Sequence, residues 1–463
     1  MYNFLIKNIT NKYDYEELLK VFLKPDEFRT YTLDELEESN TKQDNLDDLI
    51  IINDSNCDDK NHIKREIYNK LYMLTGYKPE WGILTGVRPV KLTGELFSKL
   101  QAYSFVRREL SETYLISDDK IDLLLDTFSF QQQYIGYPDK KSVGIYIGIP
   151  FCPTRCLYCS FTSNQVGSTE IEKYLSALKK EIEFVGKRMK EKQLFAESIY
   201  VGGGTPTTLT EQQLKDLLLT IRTNINLDSL KEFTVEAGRP DTITIEKLDT
   251  IKNNGVNRIS INPQSMKAHT LDLIGRSHSP KDIVDAFKIA DDVGIPVVNA
   301  DIIAGLPEES PEDFEDTIDN ILALGPENIT VHTLAVKRAS RLAETDKDYH
   351  YKQGEIVGQM LEISKIKLKA AGFQPYYLYR QKHMAGSFEN IGYCKENTPC
   401  IYNIRIMEER QNILALGAGG ISKIYFPDEN RLERIPNVSN YEIYISRIEE
   451  MLDRKEKNFF KEV

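Results

Sequence analysis

The chain has 463 residues, 41% of them hydrophobic and 28% charged, with a formal net charge of −12. Such a composition fits a globular protein of two or three domains, lacks the long apolar runs of a membrane span, and disfavours general binding to nucleic acid. The opening MYNFLIKNITNKYDYEELL has no basic stretch followed by an apolar run, so a cytoplasmic protein with reduced thiols is expected.

Residues 1–138 read as a small mixed α/β domain. An apolar start, YNFLIK, precedes the helical stretch YDYEELLKVFL, the strand DDLIIIND and the long helix HIKREIYNKLYMLTGY, with WGILTGVRPVKL following. From residue 139 to 375 the rhythm changes. Strand-like runs VGIYIGIP, ESIYVGG, EFTVEA, NRISIN, VVNADIIAGL and NITVHTL recur, separated by amphipathic stretches such as EKYLSALKKEIEFVGKRM and SPKDIVDAFKIADDVG. Repeated strand–helix units predict parallel strands with right-handed crossovers, as an open doubly wound sheet or a complete or partial barrel. Polar or glycine-rich ends (GGGTP, EAGRP, NPQS, AGLP) mark the strand edge at which α/β folds bind ligands. Residues 376–463 leave the pattern, carry the glycine-dense LALGAGGISK and end in a charged helix.

The most informative stretch is CPTRCLYCSF. It places three of the chain's six cysteines, Cys152, Cys156 and Cys159, in a C-x3-C-x2-C spacing after the first strand of the repeat. Buried structural thiols rarely cluster so closely, and a reducing compartment disfavours disulfides. A zinc site wants a fourth ligand, which no nearby Cys or His supplies at zinc-knuckle spacing. An iron–sulfur cluster remains. Electron-transfer clusters use four cysteines, so three leave one iron open for a ligand.

These residues resemble the radical SAM enzymes. That resemblance implies a partial (β/α)6 TIM-like barrel, a [4Fe–4S] cluster on Cys152, Cys156 and Cys159, and S-adenosylmethionine (SAM) as second cofactor. VGGGTPT resembles the family's glycine-rich element for the methionine amino group, so Gly203, Gly204 and Thr205 are expected to bind SAM. Matching position by position to the oxygen-independent coproporphyrinogen III oxidase family adds Glu236, Gln264, Arg276, Asp301, Tyr158 and Ala335. It also adds Tyr146, the candidate catalytic residue. Arg276 is implied to pair with the SAM carboxylate, a contact suited to a guanidinium.

The TGVRPVKL, VHTLAVKRASRL and ALGAGG runs resemble the HemZ-type coproporphyrinogen dehydrogenase group. The implied organisation is an N-terminal domain (1–138), a radical SAM partial barrel (139–375) and a family-specific C-terminal domain (376–463). The implied reaction, in porphyrin (haem) biosynthesis, is the anaerobic oxidative decarboxylation of coproporphyrinogen III to protoporphyrinogen IX, with an unidentified low-potential electron donor. Lys337, Arg338, Arg341 and Arg380 are candidate cations for a tetrapyrrole's carboxylates. Two positions depart from the family pattern: Gly148 where a histidine is typical, and Phe161 where the oxidases have a further cysteine. A haem-binding chaperone that retains the cluster, and a radical methyltransferase acting on haem, are therefore the alternatives.

Overall fold

Four helices of the repeat, Glu211–Asn224, Ile245–Asn253, Pro280–Val293 and Pro311–Ala323, start where a polar side chain caps them. Thr210, Ser279 and Ser310 each form a reciprocal capping box, and Thr244 accepts from the main-chain N–H of Lys247. Pro280 and Pro311 occupy the first helical position, where a missing N–H costs nothing. In the computed structural model, residues 1–463 are described except 10, 39–48, 56, 160–163, 338–339, 347 and 383.

The described residues cluster into two units. One comprises Met1–Ser129, Tyr379–Lys382 and Gly386–Phe388, and the other Phe130–Leu378, His383–Ala385 and Glu389–Val463. In the first, β1 (Tyr2–Ile6) lies between β2 (Phe28–Tyr31) and β3 (Leu49–Ile52), both parallel to it. Helices Tyr13–Phe22 and Lys60–Thr75 bury Leu18, Leu19, Ile63 and Ile67 against Phe4, Ile6 and Ile52.

The second unit holds the six predicted strands as β4 (Ser142–Ile149), β5 (Phe195–Gly203), β6 (Glu232–Glu236), β7 (Arg258–Gln264), β8 (Val297–Ala304) and β9 (Asn328–Thr333). Each pairs in parallel with the next in chain order. That sequential order, with helices between, is the α/β partial-barrel arrangement expected from the sequence. The sheet is open and continues beyond both ends. β10 (Gln374–Tyr379) and β11 (Asn390–Cys394) extend it past β9, while β12 (Asn412–Leu416), β13 (Ile421–Phe426) and β14 (Arg431–Pro436) extend it past β4. Residues 376–463, expected as a separate domain, are thus divided. A few cluster with the first unit, and the rest belong to the second, where they add strands to its sheet and end in helices.

A buried cluster fastens the C-terminal segment. Glu181 accepts from Lys455 Nζ (2.6 Å), Tyr444 Oη (2.5 Å) and the main-chain N–H of Gly417 (2.7 Å), and neither charged side chain is exposed. A buried carboxylate needs such a full set of partners to stay ionised. Among the described residues, no helix is long and apolar enough to cross a membrane.

Candidate active site

Side chains alternate along a strand, so register decides which residues share a face. Tyr146 of β4 lies level with Tyr200 of β5, and Glu236 of β6 with Ser260 of β7, which pairs with Asn299 of β8. The rings of Tyr146, Tyr200 and Tyr402 stack, with Tyr200 and Tyr402 centroids 4.8 Å apart. Tyr200 Oη donates to Glu236 Oε1 (2.6 Å), and the N–H of Gly203 donates to Oε2 (3.1 Å). Further along the face, Asn299 Nδ2 donates to Ser260 Oγ (2.9 Å) and Asp301 Oδ1 (2.7 Å), and His332 Nε2 lies 3.6 Å from Asp301 Oδ2. One face of six strands therefore carries a row of aromatic and polar side chains, hydrogen-bonded from Tyr200 to Glu236 and, separately, from Asn299 to Ser260 and Asp301.

Burial raises the Glu236 carboxyl to about 7, with the charge of Asp301 adding to it, against the hydrogen bonds from Tyr200 and Gly203. The folded protein holds this proton after an unfolded chain, ionising near 4.5, has lost it. Stability is therefore expected to fall as pH rises through that window. Glu309, also raised by burial to about 7, contributes in the same direction. Glu236→Gln removes one contribution. In thermal melts of the cluster-free protein between about pH 5 and about pH 8, the variant should lose less Tm than the wild type. Equal slopes would contradict the assignment.

The cysteine loop leaves the end of β4 and is tied down from several sides. Cys152 N–H donates to Asn164 O (3.2 Å), Leu157 N–H to Ile274 O (2.9 Å), and Leu342 N–H to Leu157 O (3.1 Å). The glycines after β5 explain themselves. Gly203 has φ of 115°, a conformation L side chains rarely adopt, and a Cβ on Gly204 would stand 2.5 Å from the carbonyl oxygen of Phe151. Thr205, next in line, places Oγ1 3.4 Å from Cys152 Sγ.

All three loop cysteines are free thiols. Burial raises the Cys152 thiol to about 11, and the neighbouring Cys159 and Cys156 sulfurs add to this, against the Thr205 contact. Thiolates crowded in this way need cationic metal to be stable. A cubane takes each of three thiolates on a different iron, whereas a structural zinc wants a fourth protein ligand, so the loop suits a cluster.

Two of the SAM candidates carry buried polar atoms. Arg276 donates to Gly238 O (2.9 Å) and to Tyr158 Oη (3.0 Å), while its buried Nε has no partner among the described residues. Gln264 is buried at φ of 69°, and its Oε1 likewise has none. A native protein rarely leaves such groups unsatisfied, and strained backbone gathers where ligands bind. The residues present therefore fit a polar, partly anionic cofactor beside the thiols. Ala335, in an isolated bridge to Met384, follows β9.

The expected substrate cations divide. Lys337 is half-buried near Cys159, and burial lowers its ammonium pKa. Arg341 lines a cavity of about 440 Å³ together with Arg155, Asn164, Tyr441 and Glu442. Arg380 belongs to the other unit. Its guanidinium donates to the carbonyls of Leu84 and Ser387 (2.7 Å for the latter) and lies 5.0 Å above the Trp81 ring, which explains its burial without a substrate. Arg338 and Phe161 lie outside the described residues. Gly148, where the family pattern has histidine, offers its carbonyl to Tyr174 Oη (2.6 Å), and a Cβ there would lie 3.4 Å from the carbonyl oxygens of Leu416 and Ala418, both in the LGAGG turn.

Sequence reading passed over Tyr200, Asn299 and His332, which look like ordinary members of core strands. Only their alternation with apolar neighbours, aligned across strands, could have marked them. It also passed over Arg239, buried beside Cys156.

The sequence profile of the radical SAM superfamily matches residues 146–321. The chain is 39% identical over 406 residues to the oxygen-independent coproporphyrinogen-III oxidase-like protein HemZ of Bacillus subtilis (strain 168), covering 86% of this chain and 80% of that protein. It is 35% identical over 235 residues to the heme chaperone HemW of the same organism, covering 50% of this chain and 61% of that one. Among solved structures, coproporphyrinogen III oxidase (HemN) from Escherichia coli, a radical SAM enzyme, shares the fold with a TM-score of 0.54 at 21% identity, over 70% of this chain and 73% of that one.

Proposed function

Since this chain belongs to the radical SAM superfamily, and within it to the HemZ-type group of oxygen-independent coproporphyrinogen III oxidase-like proteins, we propose that it oxidatively decarboxylates coproporphyrinogen III without oxygen. The family uses a [4Fe–4S] cluster and SAM, which together supply a 5′-deoxyadenosyl radical. The observation that carries the reading is the juxtaposition at the ends of β4 to β7. Three free thiols on one tied-down loop accompany the unsatisfied Arg276 Nε and Gln264 Oε1.

In this reading Cys152, Cys156 and Cys159 hold the cluster, and Arg276 grips the SAM carboxylate while Tyr158 fixes its guanidinium plane. Gly203, Gly204 and Thr205 keep the chain close to the methionine amino group. Glu236, Gln264 and Asp301 receive its polar hydrogens, and Tyr146 and Ala335 border the nucleoside. The stacked tyrosines keep water from the reacting centre. Lys337, Arg341 and Arg155 give propionate carboxylates a cationic rim in an otherwise acidic protein. Each of the two reacting propionate side chains loses one hydrogen atom from its ring-proximal carbon, then CO2 and one electron to an acceptor, and becomes a vinyl group, while the other two propionates are kept. A low-potential donor outside the chain supplies the reducing electron.

Similarity to the heme chaperone HemW favours a second reading, in which haem is bound and released without oxidation. The two separate on anaerobic incubation of reduced, cluster-loaded protein with SAM and coproporphyrinogen III. Vinyl-bearing product with CO2 is expected. Stoichiometric haem binding without turnover would overturn the oxidase in favour of the chaperone.

A further inference from the structure

We propose that Arg239 and Asp241 form a fixed charge pair that sets the reduction potential of the cluster, with the guanidinium end turned towards the Cys156 sulfur. The inference rests on reading the three cysteines as cluster ligands.

Arg239 follows β6 by three residues and is only 3% exposed. Its fork is divided. Nε and Nη2 donate to the two carboxylate oxygens of Asp241 at 3.0 and 3.2 Å, and Nη2 also donates to Ser277 Oγ at 2.6 Å. Nη1 points the other way, donating to Thr154 Oγ1 (2.8 Å) and reaching Cys156 Sγ at 3.8 Å. Ser277 Oγ in turn donates to Asp241 Oδ2 (3.0 Å), so the carboxylate is held on the side away from the sulfur. A guanidinium stays protonated in a protein, so the charge is permanent, and bidentate pairing fixes its direction. Burial keeps solvent from screening it.

An electron entering the cluster adds negative charge. A fixed cation beside a ligand sulfur stabilises that reduced state, whereas a fixed anion opposes it. Hydrogen bonds to sulfur and local charge are among the levers by which proteins set cluster potentials. Arg239 thus raises the potential, and Asp241, further away, moderates it. Arg239→Gln removes the cation and takes from Asp241 its bidentate partner, so both changes act in the same direction. Asp241→Asn removes the moderating anion and should act in the opposite direction.

The test is an anaerobic redox titration of the reconstituted full chain without SAM, followed by electron paramagnetic resonance, with iron counted per chain. For Arg239→Gln, the ratio of reduced to oxidised cluster at a given potential should fall about tenfold, a shift of about 59 mV for a one-electron couple. Asp241→Asn should shift the midpoint upwards, and Thr154→Val, which alters no charge, should leave it in place. Loss of a purely structural contact would lower iron content without moving the two midpoints apart. Wild-type midpoints in both charge variants at full iron content, or shifts in one common direction, would overturn the proposal. If Arg239→Gln assembles no cluster, Asp241→Asn decides alone, since anything other than a rise refutes the pair. A wild-type protein with no cluster signal refutes the ligand reading itself, a result distinguishable from unshifted variants around an intact cluster.

Discussion

Cys156→Ala is expected to reduce iron and sulfide in the anaerobically reconstituted protein to background, and with them the visible absorption of a cluster. The reason is the ligand count. A cubane held by three protein sulfurs already leaves one iron without a protein ligand, and removing Cys156 leaves only Cys152 and Cys159 on a loop that otherwise keeps its ties to Asn164, Ile274 and Leu342. Cys156 is also the buried one of the three, at 8% exposure, so nothing in solvent readily replaces it. Cys400→Ala is the matching control. That thiol is buried and donates to Glu232 Oε1 at 3.2 Å, remote in sequence from the loop, and its removal should leave the iron content unchanged. Full cluster absorption in Cys156→Ala would reject the ligand assignment.

The second large effect belongs to Arg276. Two of its nitrogens are held by Gly238 O and Tyr158 Oη, which fix the guanidinium plane and leave Nε for a ligand. Arg276→Gln should leave the cluster intact and weaken SAM binding by about 2–5 kcal/mol, the usual loss when one partner of a buried charge pair is truncated. That corresponds to a Kd raised roughly 30-fold or more. Arg276→Lys retains the charge but not the fork, and should fall between. Equilibrium binding of SAM to the oxidised, cluster-loaded variants measures both. An unchanged Kd for Arg276→Gln at full iron content would remove Arg276 from the cofactor site.

Local signals carried most of the architecture. Strand runs such as NRISIN and VVNADIIA, followed by a Ser cap and an amphipathic stretch, specify a strand–helix unit within a short window, and the six strands fall in chain order along the sheet. The cysteine spacing and GGGTP were legible for the same reason, because their residue types and spacing fall within a few consecutive positions, although distant residues hold them in place. What escaped depends on distant partners. NILAL looks like any apolar strand, and nothing in it announces that β12 will pair with β4 from a position far earlier in the chain. FRTY is too short and too charged to stand out as a strand until β1 supplies its hydrogen bonds. Arg239 reads as a polar residue in EAGRP, and only the folded chain brings Thr154, Cys156 and Ser277 to it. Arg380 shows the converse. In YLYRQKH it looks like a free cation at a strand end, but Trp81 and two main-chain carbonyls account for it.

Everything proposed about tetrapyrrole chemistry depends on one prior capability, reductive cleavage of SAM at the three-cysteine loop. The direct measurement is 5′-deoxyadenosine released by the anaerobically reconstituted wild-type chain given SAM and a strong reductant. Its formation, with methionine in equal amount, is the predicted result. A fully loaded and reduced cluster that yields none would contradict the account.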